Sequence, residues 1–222
     1  MKNIDIWIAS FKKLSFLASK ISCLSDKEHH RANKFHFIKD KMHYELSHVF
    51  LRHILHTYYS HISPSEWQFS LAKHGKPYIL NKLTEPLNFT LSKSENMVAI
   101  AFSKDYDIGI DIEKVAELPT TDFYNLVFTN HEKELLHSSR HNEKEAFYTL
   151  WTLKEAYIKA MGTGFSYDPT HIDLSGIAIK LRTTNKFYKT PDFYYSNSFE
   201  NNIFSIVALD TTDKIKINFK NF

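Results

Sequence analysis

Residues 106–113 read Tyr-Asp-Ile-Gly-Ile-Asp-Ile-Glu. Its three isoleucines alternate with polar residues, which is the period-two pattern of a strand with one buried face. On such a strand Asp111 and Glu113 point to the same side, about 6.6 Å apart at Cα. Both carboxylates can therefore reach one cation. An isolated Asp-x-Glu pair is more commonly just a charged, solvated strand face, so this pair needs support from elsewhere.

A second segment supplies that support. Residues 151–159 read Trp-Thr-Leu-Lys-Glu-Ala-Tyr-Ile-Lys, and helical spacing places Glu155 and Lys159 on one face with Lys154 beside them. A third carboxylate with two ammonium groups suits a metal-bound diphosphate, because the acid ligates metal or accepts a proton while the lysines neutralise phosphate oxygens. The alternative is an ordinary surface salt bridge, since Glu four residues before Lys is the favoured order. We expect the aromatic residues of this segment in the core.

The flanking patterns predict a mixed fold. Residues 1–9 alternate as a strand, and a Ser-x-x-Glu capping box at Ser25 opens one or two helices over about 26–58. Loops and short strands follow up to residue 102. A second capping box at Thr129 precedes a helix that ends near Gly162, after which we expect strands.

Both halves of the chain run helix first and strands afterwards. Val98-Ala99-Ile100-Ala101 is echoed by Ser205-Ile206-Val207-Ala208, which hints at a duplication. We therefore predict an α+β fold of two similar halves, residues 1–104 and residues 105–222.

Composition narrows the function classes. The chain has 222 residues, 43% of them hydrophobic, and a net charge of +3 from 28 basic and 25 acidic residues. This near balance gives no extended basic stripe, so we expect no nucleic-acid partner. A single cysteine, Cys23, fits a reducing compartment. No export signal or apolar stretch long enough for a membrane is present, and we predict a cytoplasmic protein without a membrane partner.

Two loops offer phosphate-binding chemistry. Residues 73–77, Lys-His-Gly-Lys-Pro, place cations on a glycine turn, and residues 90–94, Thr-Leu-Ser-Lys-Ser, supply hydroxyls and a cation before a strand. Each is also an ordinary turn sequence. His48, His53 and His56 do not share one tight helix face, so we interpret them as surface or packing residues and expect no zinc.

Taken in order, these segments resemble one family. The Gly-Lys-Pro turn at 75–77, Asn-Phe-Thr-Leu-Ser-x-Ser at 88–94, Gly-Ile-Asp-Ile-Glu at 109–113 and Trp-x-x-Lys-Glu-x-x-x-Lys at 151–159 resemble the larger, surfactin-synthetase-activating type of 4′-phosphopantetheinyl transferase. The helix closes at Gly-Thr-Gly, residues 162–164, as in that family. The resemblance covers most of the chain.

The resemblance implies two pseudo-twofold-related halves with coenzyme A in the cleft between them and Mg²⁺ on its diphosphate. It also implies transfer of phosphopantetheine to a serine of an apo acyl or peptidyl carrier protein, with release of 3′,5′-ADP, by a monomer. Proton transfer would fall to Glu155 or Asp111. The implied metal ligands are Asp111, Glu113 and Glu155; the catalytic residues are Glu155, Lys159 and Asp111; the residues for coenzyme A are Arg31, Lys76, Pro77, Ser92, Lys93, Lys154 and Lys159.

Two positions depart from the family pattern. Lys93 stands where the family usually has histidine near the 3′-phosphate of coenzyme A, and it offers a point charge of different reach. His43 stands where the family often has arginine, nine residues before Arg52. Arg31 and Lys34 are the nearby cations expected to contribute.

Two other functions suit parts of this pattern. Three carboxylates with lysines also fit a magnesium-dependent nuclease or another phosphotransferase. An inactive module that binds coenzyme A or carrier protein fits the two departures, but three clustered carboxylates are costly to keep without a use. For the carrier we predict an acidic helical domain that docks near residues 118–128.

Overall fold

A computed structural model of the chain describes residues 1–139, 142–183, 187–189 and 191–221, and this part contains ten strands and six α-helices. The strands are β1 (Lys2–Ser10), β2 (Phe69–Leu71), β3 (Pro77–Ile79), β4 (Asn88–Lys93), β5 (Met97–Ser103), β6 (Ile108–Lys114), β7 (Phe187–Lys189), β8 (Phe193–Phe199), β9 (Asn202–Ala208) and β10 (Ile215–Lys220). The helices are α1 (Asp26–Ala32), α2 (Ile38–Tyr58), α3 (Thr121–Val127), α4 (Asn130–Ser138), α5 (Glu143–Met161) and α6 (Ser175–Thr183).

The two halves repeat one topology. In the first half, β1 precedes the long helix α2 and the β4–β5 hairpin, and the sheet order is β1-β5-β4. In the second half, β6 precedes the long helix α5 and the β8–β9 hairpin, and the sheet order is β6-β9-β8. All of these pairings are antiparallel. The predicted α+β fold with two similar halves is therefore confirmed.

Each sheet carries its long helix on one face and meets the other sheet with its opposite face. The core between α2 and the first sheet includes Val49, Phe50 and Ile54. The core between α5 and the second sheet includes Leu150, Leu153 and Val207. A third cluster joins the two sheets, and its members include Ile4, Ile6, Met97, Ile108, Ile110, Ile112, Phe204 and Ile206. The alternating isoleucines of β1 and β6 thus build the junction between the halves.

The last strand of the second half joins the sheet of the first half. Strand β10 pairs in parallel with β1 at the edge of the first sheet, so the order of that sheet is β10-β1-β5-β4. The end of the sequence therefore belongs to the sheet in which the sequence begins. The predicted division at residue 104 stays a prediction.

Several elements were predicted and several were missed. The strand at 1–9, the helices within 26–58, the strand before residue 114 and the helix end at Gly162 are confirmed. A 3₁₀ helix at Lys13–Cys23 and the helices α3 and α6 were not predicted. None of the helices in the described ranges combines the length and apolar character that a membrane span requires.

Both predicted capping boxes are present, and each glutamate does more than cap. At the start of α1, Glu28 accepts hydrogen bonds from the amide and hydroxyl of Ser25. The same carboxylate pairs with the buried guanidinium of Arg52 on α2. Arg52 also donates to the carbonyls of Pro64 (2.8 Å) and Trp67 (3.0 Å). One buried ion pair thus fixes α1, α2 and the following loop together.

Candidate active site at the junction of β6 and α5

The close approach of α5 to β6 depends on Gly109. A Cβ atom at this position would overlap with the carbonyl oxygen of Ala156 and would lie 2.5 Å from the amide nitrogen of Ala160. Only glycine lets the helix backbone come this near to the strand. The strand carries Asp111 and Glu113, and the helix carries the other acidic and basic groups of the site. Gly109 therefore brings the two halves of the candidate site within reach of each other.

Asp111 is the centre of the polar cluster. Its side chain is 4% exposed, and its Oδ1 atom accepts hydrogen bonds from Lys159 Nζ at 2.6 Å and from Ser92 Oγ at 2.7 Å. Lys159 also donates to Ser92 at 3.1 Å. The other carboxylate oxygen, Oδ2, is buried and has no hydrogen-bond partner in the structure. A buried carboxylate oxygen without a partner is costly, and a cation is the ligand that would compensate it.

Two further carboxyl groups lie within electrostatic reach of Asp111. Burial and the charge of Asp111 raise the pKa of Glu113 to about 7, against a weaker opposing effect of the Trp151 indole, which donates to Glu113 at 3.4 Å. Burial and the same aspartate also raise the pKa of Glu155, while Lys159 opposes that shift. Mutual repulsion of like charges in a partly buried site produces such shifts. The sequence motifs are thus brought together in space.

The donor set fits a magnesium ion. Carboxylate oxygens are the ligands that Mg²⁺ prefers, and Asp111 has an oxygen without a partner. Mg²⁺ commonly takes one or two protein carboxylates and fills its shell with water and phosphate oxygens. Within the described ranges, no three His, Cys, Asp or Glu side chains form a ready-made metal cluster. The three ligand assignments stay predictions.

Lys154 is not part of this cluster. Its side chain is 1% exposed, and its ammonium group pairs with Glu132 (2.7 Å) and donates to the carbonyls of Pro169 (2.8 Å) and Ile172 (2.7 Å). These three partners use all the donors of a lysine. The predicted contact of Lys154 with phosphate stays a prediction, but this geometry leaves the ammonium group no free donor, because residue 154 faces the core.

The glycine turn lies against the end of α5. Lys76 donates to the carbonyl of Ala160 at 2.9 Å and lies 3.6 Å from the carboxylate of Asp107. Pro77, next to it, begins β3. Burial lowers the pKa of Lys76, and Asp107 opposes this shift. The turn thus joins the first half to the helix of the second half, and its predicted contact with coenzyme A stays a prediction.

The two positions that depart from the family pattern line one pocket. Its volume is about 230 Å³, and its lining residues are Phe35, Lys39, Asp40, His43, Lys93, Ser94 and Glu95. Lys93 extends over the rings of Phe35 and Tyr44, 5.8 and 5.5 Å from their centroids. Burial lowers the pKa of Lys93, the negative charge of Asp40 opposes this shift, and the positive charge of Arg31 adds to it. His43 stacks on Phe11 with a centroid distance of 3.7 Å.

Sequence reasoning missed three contributors. Trp151 was expected to be core, yet its indole donates to Glu113. Ser92 was expected to bind phosphate, yet its hydroxyl bonds to Asp111. Glu132 was visible only as a capping residue, although its carboxylate also holds Lys154. The capping-box motif was the available signal for Glu132; no local pattern indicated the other two contacts, because both join segments distant in sequence.

Fold and site define a class of protein: two α+β halves of one topology, of which the second carries an acidic cluster with a lysine at its strand–helix junction. A model of the 4′-phosphopantetheinyl transferase superfamily matches residues 107–211. A second model, described as the N-terminal region of 4′-phosphopantetheinyl transferase, matches residues 6–105. Together the matches span nearly the whole chain, and the chain belongs to the 4′-phosphopantetheinyl transferase superfamily.

Individual relatives agree with this placement. The chain is 35% identical to the 4′-phosphopantetheinyl transferase HetI of Nostoc sp., over 68% of this chain and 65% of the relative. It is 31% identical to the L-aminoadipate-semialdehyde dehydrogenase-phosphopantetheinyl transferase of Schizosaccharomyces pombe, over 74% and 65%. It is 28% identical to the 4′-phosphopantetheinyl transferase Sfp of Bacillus subtilis, over 66% and 63%. The chain thus matches less than two thirds of the length of each.

Proposed function

We propose that this protein transfers the 4′-phosphopantetheine group of coenzyme A to a serine of an apo acyl or peptidyl carrier protein and releases 3′,5′-ADP. The observation that carries the proposal is the buried Asp111, which accepts a hydrogen bond from Lys159 through one oxygen and leaves the other without a partner. Glu113 and Glu155 lie near enough to Asp111 for its negative charge to raise their pKa values. Family membership supports the same reaction.

Asp111, Glu113 and Glu155 are the residues that would hold Mg²⁺. When bound there, the ion would neutralise charge on the diphosphate of coenzyme A. Lys159 would add a second positive charge, because its side chain is partly exposed and its ammonium group already lies at the site. Electrostatic stabilisation of the charge that develops on the diphosphate as 3′,5′-ADP departs is the main contribution expected of such a site.

Glu155 is the proposed proton acceptor. Burial and the neighbouring Asp111 raise its pKa, which makes it a better base than an ordinary glutamate. The carrier serine oxygen would form a bond to the β-phosphorus, the bond to 3′,5′-ADP would break, and the serine proton would pass to Glu155. Asp111 is the alternative acceptor, but its Oδ1 atom is already engaged by Lys159 and Ser92.

The pocket beside α2 is proposed to take the 3′-phosphate of coenzyme A. Lys93 provides the cation at its wall, and Arg31 and Lys39 add positive charge nearby. We expect tighter binding of coenzyme A than of 3′-dephospho-coenzyme A, by roughly tenfold or more for one charged hydrogen bond. Calorimetric titration of both ligands checks this, and Lys93→Gln should abolish most of the difference. Equal affinities of the unmodified protein would refute the role of Lys93.

The carrier protein is proposed to dock near α3. In the predicted segment 118–128, Leu126 is 70% exposed, whereas Val127 and Phe128 are buried. Leu126 is therefore the most exposed apolar side chain of this helix, and Phe123 is partly exposed. Exchange of the exposed residues of α3 should change carrier selectivity, and unchanged selectivity would argue against this surface. The monomeric state and the cytoplasmic location remain predictions from the sequence.

The test of the reaction is intact-mass analysis of purified apo carrier proteins incubated with this protein, coenzyme A and Mg²⁺, with and without a chelator. A metal-dependent gain of one phosphopantetheine group is the expected result. Coenzyme A binding without any gain across several carrier types would favour an inactive binding module. Failure to bind coenzyme A would favour the alternative of a magnesium-dependent nuclease or another phosphotransferase.

A further inference from the structure

The core of the second half contains a buried ion pair that the proposed reaction does not use. Glu132 is fully buried at the start of α4, and Lys154 is fully buried on α5, one residue before Glu155. Besides Lys154, the carboxylate of Glu132 accepts hydrogen bonds from the amides of Thr129 (2.8 Å) and Leu174 (2.9 Å). This pair, with its backbone partners, is called the α5 clamp below.

The clamp and Gly109 hold α5 from opposite sides. Ala156 and Ala160 press against Gly109 on the strand side. Lys154 lies two residues before Ala156, so helical geometry turns it about 200° away from that contact, toward α4 and the segment before α6. A helix held on both sides cannot easily rotate or slide.

Directional bonds make this contact more restrictive than apolar packing. The Lys154 ammonium has three acceptors at fixed positions, on Glu132, Pro169 and Ile172. Apolar contacts are non-directional and tolerate small shifts, whereas three hydrogen bonds fix both the height and the rotation of the helix at that point. Buried ion pairs contribute little net stability, so a role in specifying position is the better account of this one.

We propose that the α5 clamp is a positioning device: Glu132 and Lys154 set the rotation of α5 so that Glu155 and Lys159 face Asp111. Lys154 acts through the helix and touches neither coenzyme A nor metal. The inference rests on the proposed function for its link to catalysis, but its effect on the geometry of the carboxylates can be measured separately.

The first half offers a matched control. Glu28 and Arg52 form the same arrangement there, a capping-box glutamate paired with a buried cation of the long helix, whose other donors go to two carbonyls of the following loop. The helix of that half carries none of the predicted metal ligands. A variant of Arg52 therefore perturbs an equivalent pair without disturbing the alignment of Glu155.

The experiment compares Lys154→Met, Glu132→Gln and their double variant with Arg52→Met and Glu28→Gln. It measures the kcat of transfer, the Kd of coenzyme A, the Kd of Mn²⁺ by electron paramagnetic resonance, and urea unfolding. The double variant is included because Lys154→Met alone leaves a buried charge unpaired and can fail to fold.

For the clamp variants we expect kcat and Mn²⁺ affinity to fall about 10- to 100-fold, the range seen when groups that orient metal ligands are removed. The Kd of coenzyme A should change by less than about threefold, and the double variant should be no worse than the poorer single variant, because the two residues act as one unit. The control variants should unfold at lower urea concentration but keep kcat and Mn²⁺ affinity within about threefold.

Three results would overturn the inference. A loss of coenzyme A binding in Lys154→Met but not in Glu132→Gln would show a phosphate contact. Equal losses of kcat and Mn²⁺ affinity in the clamp variants and in the control variants of Glu28 and Arg52 would show a merely structural role. If the unmodified protein bound no Mn²⁺, there would be no metal site for the clamp to position. Absence of transfer by the unmodified protein rejects the proposed reaction instead, and Mn²⁺ affinity still decides the role of the clamp.

Discussion

The first strand of each half contains Ile-Asp-Ile, and the two aspartates have different surroundings. In β1, Asp5 accepts hydrogen bonds from Tyr58 Oη (2.6 Å) at one oxygen and from Asn218 Nδ2 (2.8 Å) at the other. In β6, Asp111 binds Lys159 and Ser92 through one oxygen, and the other is buried without a partner. Both oxygens of Asp5 are satisfied within the fold, whereas one oxygen of Asp111 has no hydrogen-bond partner, as the proposed cation site requires.

The contrast continues along the two long helices. Each has a buried cation paired with a capping-box glutamate, Arg52 on α2 and Lys154 on α5. The next residue is His53 in the first half, which bonds to the carbonyl of Val49, and Glu155 in the second half, which lies near Asp111. One topology is therefore used twice, and the side chains at these corresponding positions have different partners in the two halves.

The largest expected effect is the loss of transfer in Glu155→Gln. The change removes both a predicted metal ligand and the proposed base, and a general base alone contributes about 10²–10⁴-fold, so kcat should fall by at least that factor. His53→Gln alters the corresponding position of the first half and should leave kcat within about threefold. Single-turnover transfer measured by mass spectrometry compares them. A Glu155→Gln variant with a near-normal rate would remove this residue from the mechanism.

A smaller effect is expected on metal affinity when the two aspartates are compared. Asp111→Asn removes the charge beside the unpartnered oxygen, and Mn²⁺ affinity should fall by about tenfold or more. Asp5→Asn keeps an acceptor for Tyr58 and should leave Mn²⁺ affinity unchanged while lowering stability slightly. Electron paramagnetic resonance titration measures both. If Asp5→Asn weakened Mn²⁺ binding as much as Asp111→Asn, the two strands would not differ in function as their surroundings indicate.

The sequence predicted these differences only in part. Alternation in β1 and β6 and the capping boxes at Ser25 and Thr129 were readable, because local periodicity and capping are short-range properties. The placement of Lys154 was not readable: its partners lie 15 to 22 positions away along the chain, at Pro169, Ile172 and Glu132. The motif resemblance indicated correctly that the acidic residues lie near one another. It did not indicate that Lys159 faces the acidic cluster whereas Lys154, five positions earlier, faces the core.

Residues that contact across the two halves were equally hidden. The hydrogen bond from Ser92 to Asp111 joins β4 to β6, and the Lys76 contact joins the glycine turn to the end of α5. Neither strand nor helix periodicity encodes which elements of two packed sheets become neighbours. The pocket that brings Lys93 and His43 together has the same origin, since its walls come from α2 and the β4–β5 hairpin.

The third comparison concerns backbone approach. Gly109→Ala places a methyl group against the backbone of α5, so the helix must move and the free energy of unfolding should fall by about 1–3 kcal/mol. Asn3 precedes Ile-Asp-Ile in β1 as Gly109 does in β6, and it is exposed, so Asn3→Ala should change stability by less than about 0.5 kcal/mol. Urea unfolding of both variants measures the difference. If both variants lowered the free energy of unfolding by the same small amount, α5 would accommodate the methyl group at residue 109 without loss of stability, and the close approach would not depend on glycine.

The smallest effect is a pH dependence contributed by Glu113. Because its pKa is raised from 4.5 to about 7 in the folded, metal-free protein, the folded state holds this proton more tightly than the unfolded chain does. The stability that protonation provides is complete below about pH 4.5 and is lost as pH rises through about 7. With allowance for partial exposure of the group, the loss should be about 1 kcal/mol.

Glu113→Gln is the variant that isolates this contribution. Glutamine is uncharged at every pH, as Glu113 is when protonated. With a chelator present, the variant should therefore unfold at higher urea concentration than the unmodified protein at pH 8, with no difference near pH 4.5. Glu117→Gln, at a highly exposed side chain, controls for the removal of one negative charge. If the two variants showed the same pH profile, the burial of Glu113 beside Asp111 would not be the source of the effect, and the acidic face of β6 would be as well solvated as an ordinary strand.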